Sequence, residues 1–373
     1  MTDTRATVAA QARAVADAWS PPGAPESWWL TAALLATIAD DEVLLDLAAA
    51  VPPDRLPALL LSAAVRRLVT ELPDEPLARH FPVPGGAQPP RDPGFAAELG
   101  AFARAHRDEL AALCAEHRYQ MNEAGRCADV LPVLARIAAA DPRPLALVDL
   151  GTGAGLALHS DRYHYAYRGN ETWTAGDPAS PVQLECEVRS GRPPVALPVL
   201  ADRVGIDVEP LDLRDPGTRA WLAACVPPEA GAVTRFAAAS AIAAARPART
   251  VRGDLLEVLP DVVASLPPGP VCVVDTYVHV FLPPERLARF DTVLAGLSAD
   301  RDVHWISVDP LVPLGPEAHS TVQGLDVPPE WVEDNRRGGV FGVIGHAAYR
   351  DGTRTAEVLG RAHPSAAWLE WLR

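Results

Sequence analysis

The run Val148-Asp149-Leu150-Gly151-Thr152-Gly153-Ala154-Gly155 constrains this chain more than any other stretch. Pro144 to Val148 is a short apolar run of the kind that forms a buried parallel strand, and an acid follows it. Three alternate glycines then let the backbone turn sharply and approach a ligand with no Cβ in the way. Together these residues read as a strand leading into a turn that cradles a nucleotide. The dinucleotide-binding form of such a turn needs Gly or Ala at position 156, where this chain has Leu156. A cofactor without a pyrophosphate fits better.

Four further runs repeat the pattern. Val204 to Pro210 ends in acid, and a carboxylate at the end of a second parallel strand can accept both hydroxyls of a ribose, which makes Asp207 the candidate. Thr250 to Leu255 follows a helical stretch around Trp221 to Ala245 and reads as a third strand, with Asp254 placed to meet the exocyclic amine of an adenine. Val271 to His279 reads as a fourth strand carrying Asp275, Pro284 to Leu297 as a helix, and Asp302 to Val308 as a fifth strand. Strands that alternate with helices imply an α/β fold built on a parallel sheet with right-handed crossovers.

This ordered series resembles the class I S-adenosylmethionine-dependent methyltransferases over roughly residues 141 to 310. The resemblance implies a Rossmann-like sheet, mostly parallel, with Val340 to Gly360 supplying an antiparallel pair that closes it. It implies S-adenosyl-L-methionine as cofactor, with Asp149, Gly151, Gly153, Gly155, Asp207, Asp254 and Asp275 on the cofactor side. More narrowly, Gln120-x-Asn122-Glu123-x-x-Arg126, Asp161-Arg162-Tyr163 and Arg203-x-Gly205-x-Asp207 are similar to an uncharacterised bacterial family known as a domain of unknown function, number 2332. About fifty residues separate Gly155 from Asp207, where the fold usually spends roughly twenty, so an insertion sits between them.

Composition removes whole classes of chemistry. The chain has no lysine, so all 33 Lys+Arg residues are arginine, and Schiff-base enzymes, phosphate-loop ATPases and the usual protein kinases are excluded. A formal charge of -15 argues against nucleic acid or an anionic membrane as partner, since a phosphate backbone demands a basic stripe. Cys114, Cys127, Cys186, Cys225 and Cys272 are odd in number and scattered, which reads as reduced thiols of a cytoplasmic protein. The amino terminus lacks the apolar core of a signal peptide, and no run reaches membrane-spanning length. The expected partner is a small-molecule substrate; a homodimer is left open.

Residues 1–140 read as an N-terminal helical domain, with helices at Thr7 to Trp19, Trp28 to Asp46, Pro57 to Thr70, Ala96 to Cys114 and Asn122 to Ala139. Pro82 to Pro93 is the clearest internal linker, and Pro193 to Pro198 and Pro310 to Pro316 read as ordinary connections. Residues 141–373 read as the Rossmann-like domain, in which alternation at Tyr163 to Tyr167 and Val182 to Val188 predicts a β-hairpin insertion over about 163–203.

Three groups of residues remain as site candidates. Gln120, Asn122, Glu123 and Arg126 stand at a helix entrance, where Asn122 can cap the helix and Glu123 can pair with Arg126 on one face. Alternatively, Arg126 clamps a carboxylate while Gln120 or Asn122 orients an amide or substrate. Arg162 either pairs with Asp161 or Glu171, or joins Tyr163 in reaching the methionine end of the cofactor or the acceptor. Tyr277 and His279 follow the fourth strand, where His279 could take a proton from an acceptor. With Tyr163 they complete the catalytic candidates. No two histidines have the spacing of a metal-binding helix, so no catalytic metal is expected.

Overall fold

A computed structural model describes residues 4–311 and 321–372. The fold is α/β, with a Rossmann-like sheet. Its strands are β1 (Leu145–Leu150), β2 (His164–Arg168), β3 (Thr172–Ala175), β4 (Gln183–Ser190), β5 (Leu200–Asp207), β6 (Arg249–Arg252), β7 (Val271–Thr276) and β8 (Val303–Pro310). After these come β9 (Thr321–Val322) and β10 (Leu325–Asp326), which among the described residues pair with each other, and then β11 (Gly342–Arg350), β12 (Thr353–Ala362) and β13 (Trp368–Trp371). The residues of Pro310 to Pro316 beyond Leu311 lie outside the described residues.

Strands β6-β5-β1-β7-β8 lie side by side and run parallel. Numbered by their order among themselves they read 3-2-1-4-5, the doubly wound order, and its switch point lies between β1 and β7. Burial explains their composition: every residue of β1 is buried, and Val148, Val204, Val273 and Trp305 meet in one apolar core. The expected closing pair is present. β11 runs antiparallel to β8 and β12 antiparallel to β11, joined at Asp351-Gly352, whose φ of 48° and 74° are the left-handed values a two-residue hairpin turn needs.

The expected hairpin insertion is corrected in its placement. β2 and β3 do form an antiparallel pair, but β2 also pairs parallel with β4, and β4 pairs parallel with β13. The insertion is therefore the far end of the same eleven-stranded sheet, because β13, antiparallel to β12, presents a free edge for β4.

Contacts divide the chain into two units whose boundary is not at residue 140. One unit is Met1–Glu123 with Leu213–Ala237; the other is Ala124–Asp212 with Ala238–Arg373. The helix Cys127–Ala140 belongs to the sheet unit because its apolar face packs on β4, β8 and β11, and Tyr167 Oη donates to the Ala128 carbonyl at 2.6 Å. In the helical unit, Pro216–Cys225 packs on Pro57–Glu71, where buried Arg66 donates to the carbonyls of Ala223 and Ala224. Two expected helices are broken. Asp41 caps Glu42–Ala49 after Trp29–Asp40 ends, and His106 separates Phe95–Ala105 from Arg107–Glu116. Pro82 to Pro93, the expected internal linker, carries no helix or strand and is tied down within the helical unit: the Pro89 carbonyl accepts from Trp29 Nε1, and Gln88 Oε1 accepts from the Ala230 amide. Among the described residues, no helix is long and apolar enough to cross a membrane.

Candidate functional site

At the carboxyl end of β1 the chain takes left-handed values at Gly151, Gly153 and Gly155, with φ of 62°, 53° and 72°. A Cβ on Gly151 would lie 2.6 Å from a methyl of Val278, so this glycine is also what lets the loop after β7 pack against the turn. The turn is pinned by the second strand: Asp207 Oδ2 accepts the Gly153 amide at 2.8 Å, and its Oδ1 accepts the Glu209 amide at 2.8 Å. A carboxylate has about four acceptor positions, so two remain for a ligand's hydroxyls.

Asp149 is buried, and Thr152 Oγ1 donates to its Oδ2 at 2.6 Å. Burial, with smaller contributions from Asp207 and Asp275, pushes its carboxyl up to about 7 against the help of Thr152. Gly205 serves the same corner. A Cβ there would stand 2.5 Å from Thr152 Cγ2, so only glycine on β5 leaves room for the threonine that supports Asp149.

The fourth and fifth strands end in a second cluster. Asp275, fully buried, accepts Trp305 Nε1 at 2.6 Å and lies 3.1 Å from His279 Nδ1. Asp309, at the end of β8, has its Oδ2 2.8 Å from the same nitrogen. Burial alone would lower the histidine's pKa, but the two carboxylates outweigh it and push it up to about 10. Asp309 is held above the usual carboxylate range by burial and by Asp275, whereas Asp275 stays below it, since His279 and Trp305 overcome its burial.

Tyr277 follows β7, its amide donates to the Val308 carbonyl of β8 at 2.8 Å, and its hydroxyl lies 2.9 Å from where a Cβ on Gly342 of β11 would stand. It has a φ of 62°, which costs a bulky residue roughly 1–3 kcal/mol and marks a position the surrounding structure enforces. Its hydroxyl is buried with no hydrogen-bond partner among the described residues, and burial raises its pKa. The Arg126 guanidinium lies over the ring, its carbon 4.3 Å from the centroid, while Nε donates to the Pro364 carbonyl at 3.3 Å. Among the described residues Arg126 has no carboxylate partner.

Several sequence expectations are corrected here. His279 does not stand as a free base, because between two carboxylates it is protonated at neutral pH. Tyr163 is fully buried and its hydroxyl donates to the Leu156 carbonyl at 2.7 Å, so it is a core residue. Asp254 caps the helix Leu255–Ala264 through the Leu256 amide and pairs with Arg286 at 2.5 Å, which engages both oxygens within the protein. Asp275 is enclosed by Trp305 and His279 rather than presented at the strand end.

The helix-entrance group divides. Glu123 makes no pair with Arg126; its buried carboxylate takes both Arg235 Nε and Nη2, at 3.1 and 3.2 Å, inside the helical unit. Asn122 Nδ2 donates to the Gln120 carbonyl at 3.4 Å, in the same unit, and the residue at the cap position of Cys127–Ala140 is Arg126. Arg126 belongs to the sheet unit. Arg162 pairs with neither expected acid, since Asp161 is held by Arg203 at 2.5 and 2.8 Å and Glu171 lies 3.8 Å from Arg192. Arg162 instead borders an open groove of about 640 Å³ with Ser180, Ile242 and Arg246.

Asp309 was not singled out from the sequence. Its signal was there, because Val308-Asp309 repeats the strand-then-acid pattern of the other four strands, and Thr276 pairs with Val308 in the sheet.

Two solved structures are similar at low level. The crystal structure of Streptomyces venezuelae DesVI is 11% identical, over 63% of this chain and 76% of that one, with a TM-score of 0.23. SAM-bound CalS10, an amino pentose methyltransferase from Micromonospora echinaspora involved in calicheamicin biosynthesis, is 14% identical over 69% and 80%, with a TM-score of 0.21. TM-scores this low carry no argument about function. No curated protein matches the chain. Over residues 8–371, however, it matches the family described as uncharacterized protein conserved in bacteria (DUF2332), and it belongs to that family.

Proposed function

We propose that this protein is an S-adenosylmethionine-dependent methyltransferase acting on a small-molecule acceptor. The observation that carries the reading is the left-handed glycine turn at the switch point of a doubly wound sheet, with Asp207 of the neighbouring strand bound to its central amide. The residues fit such a cofactor in part. The turn exposes Gly151 and buries Thr152 to Gly155, and Asp207, half-buried, retains acceptor capacity for ribose hydroxyls, whereas Asp254 is committed to Arg286 and to its helix. Bound there, the cofactor would supply an activated sulfonium methyl.

This chain's own residues would then position and desolvate the acceptor, which is most of what an in-line displacement requires. The guanidinium of Arg126 offers a fork for a carboxylate, and the Tyr277 hydroxyl offers a donor that stays protonated at neutral pH. No expected base is available, because His279 is charged and Tyr163 is in the core. The acceptor must therefore bring a nucleophile with a lone pair already free.

A second reading rests on that same shortage of a base: the protein binds an adenosyl ligand without catalysis, or uses the cofactor for aminocarboxypropyl transfer or cyclisation. Calorimetry with S-adenosylmethionine and S-adenosylhomocysteine tests the shared premise. Asp207→Ala should weaken either ligand at least tenfold, since two charge-assisted hydrogen bonds contribute on the order of 1.5–3 kcal/mol. Equal affinity in a folded variant, or no binding to the native protein, removes the cofactor reading. Methyl transfer to small-molecule acceptors then separates the first reading from the second.

A further inference from the structure

The geometry points to a divalent-cation site formed by Asp275, His279 and Asp309, independent of the cofactor reading above. One ligand atom from each residue falls within 4.8 Å of the others. The imidazole Nδ1 is 3.1 Å from Asp275 Oδ1 and 2.8 Å from Asp309 Oδ2. Neighbouring ligands about 2.0–2.2 Å from one ion lie about 3 Å apart, so these separations already suit a shared cation.

Two observations separate the cluster from an ordinary ion pair. First, Asp309 Oδ2 is buried and, although close to Nδ1, accepts no hydrogen bond of sound geometry. It lies off the line on which the ring's N–H would point, which suits an atom aimed at a common centre rather than at the histidine proton. Second, no other cation screens these acids: among the described residues no arginine pairs with Asp275 or Asp309, and both side chains are 1% exposed. Two carboxyl groups held this close in an apolar interior need a shared cation, and either a proton on Asp309 or a divalent ion supplies it.

The donor set selects the metal. One imidazole and two carboxylates suit zinc or manganese, whereas the absence of thiolate disfavours soft ions and the imidazole disfavours magnesium and calcium. Three protein ligands leave a coordination position open. The cluster sits at the ends of β7 and β8, with Tyr277 between Asp275 and His279 in the chain, so an ion there would stand beside the switch point.

The test uses full-length protein stripped by chelator and dialysed, titrated with Zn²⁺ and Mn²⁺ and no other ligand. One equivalent should bind, and both Asp309→Asn and His279→Gln should weaken it at least about 100-fold, beyond the usual effect of a residue that merely orients a ligand. Co²⁺ should give a d–d spectrum of N/O ligation without a thiolate charge-transfer band, a readout on the native chain that holds even if a variant fails to fold. Absence of stoichiometric binding means that a proton alone bridges the three residues and overturns the assignment. Binding that survives both substitutions in folded variants places the ion elsewhere and overturns it equally.

Discussion

Replacing Tyr277 with phenylalanine should make the protein more stable and a poorer binder. In the ligand-free protein the hydroxyl is buried and meets no partner among the described residues. A polar group in that condition costs about 1–3 kcal/mol of desolvation that nothing returns. Tyr277→Phe removes the hydroxyl while keeping the ring, its volume and the Arg126 guanidinium stacked on its face. The left-handed backbone at 277 strains both residues alike, so it cancels. The expected gain is about 1–2 kcal/mol in unfolding free energy, read by urea denaturation with an unchanged slope. For a body of 150–250 residues that corresponds to a melting point higher by roughly 2–8 °C.

The neighbouring glycine provides an internal check. A Cβ on Gly342 would stand 2.9 Å from the tyrosine hydroxyl, and equally close to Val308 Cγ1, so Gly342→Ala should be costly in the native chain and less costly in the phenylalanine background. A coupling energy of that sign ties the two positions together. If Tyr277→Phe instead destabilises the protein by more than about 1 kcal/mol, the hydroxyl has a partner in solution and the argument that it awaits a ligand fails. Calorimetry supplies the other half: the same variant should lose affinity for whichever ligand the native protein binds.

Two further outcomes follow from burial. Asp149, with a folded pKa of about 7 against an ordinary 3.8, favours folding below pH 4 and loses that advantage as pH rises to 7. Asp149→Asn keeps the acceptor for Thr152 and should therefore stabilise the protein on the order of 4 kcal/mol at pH 8 but not near pH 4. A difference between the two proteins that does not change with pH would refute the burial argument. His159, His304 and His346, with pKa values lowered chiefly by burial, act in the opposite sense in both proteins and cancel in the comparison: their contribution is complete above pH 6.5 and fades towards pH 4. In the helical unit, Glu123→Ala leaves half-buried Arg235 without its carboxylate and should cost about 1–3 kcal/mol, measured as the unfolding of that unit by amide exchange. A loss under 1 kcal/mol would mean that the pair is solvated.

The order of strands, the acid at the end of each and the glycine turn were all legible along the chain. Strand and turn preferences act over a few residues, so Val148 to Gly155 declares its conformation wherever it is placed. Family membership was legible for the same reason. What the chain could not declare was partnership. Glu123 looked like a match for Arg126, three residues on, but it meets Arg235 instead, more than a hundred residues away, because tertiary packing buries those two together. Asp254 looked like a ligand contact until Arg286 of the following helix closed on it. Asp309 entered the site only because β8 lies against β7, which sets its carboxylate beside His279. Local sequence determined the elements and the acids at their ends; long-range packing decided which of those acids share a proton, an arginine or an ion.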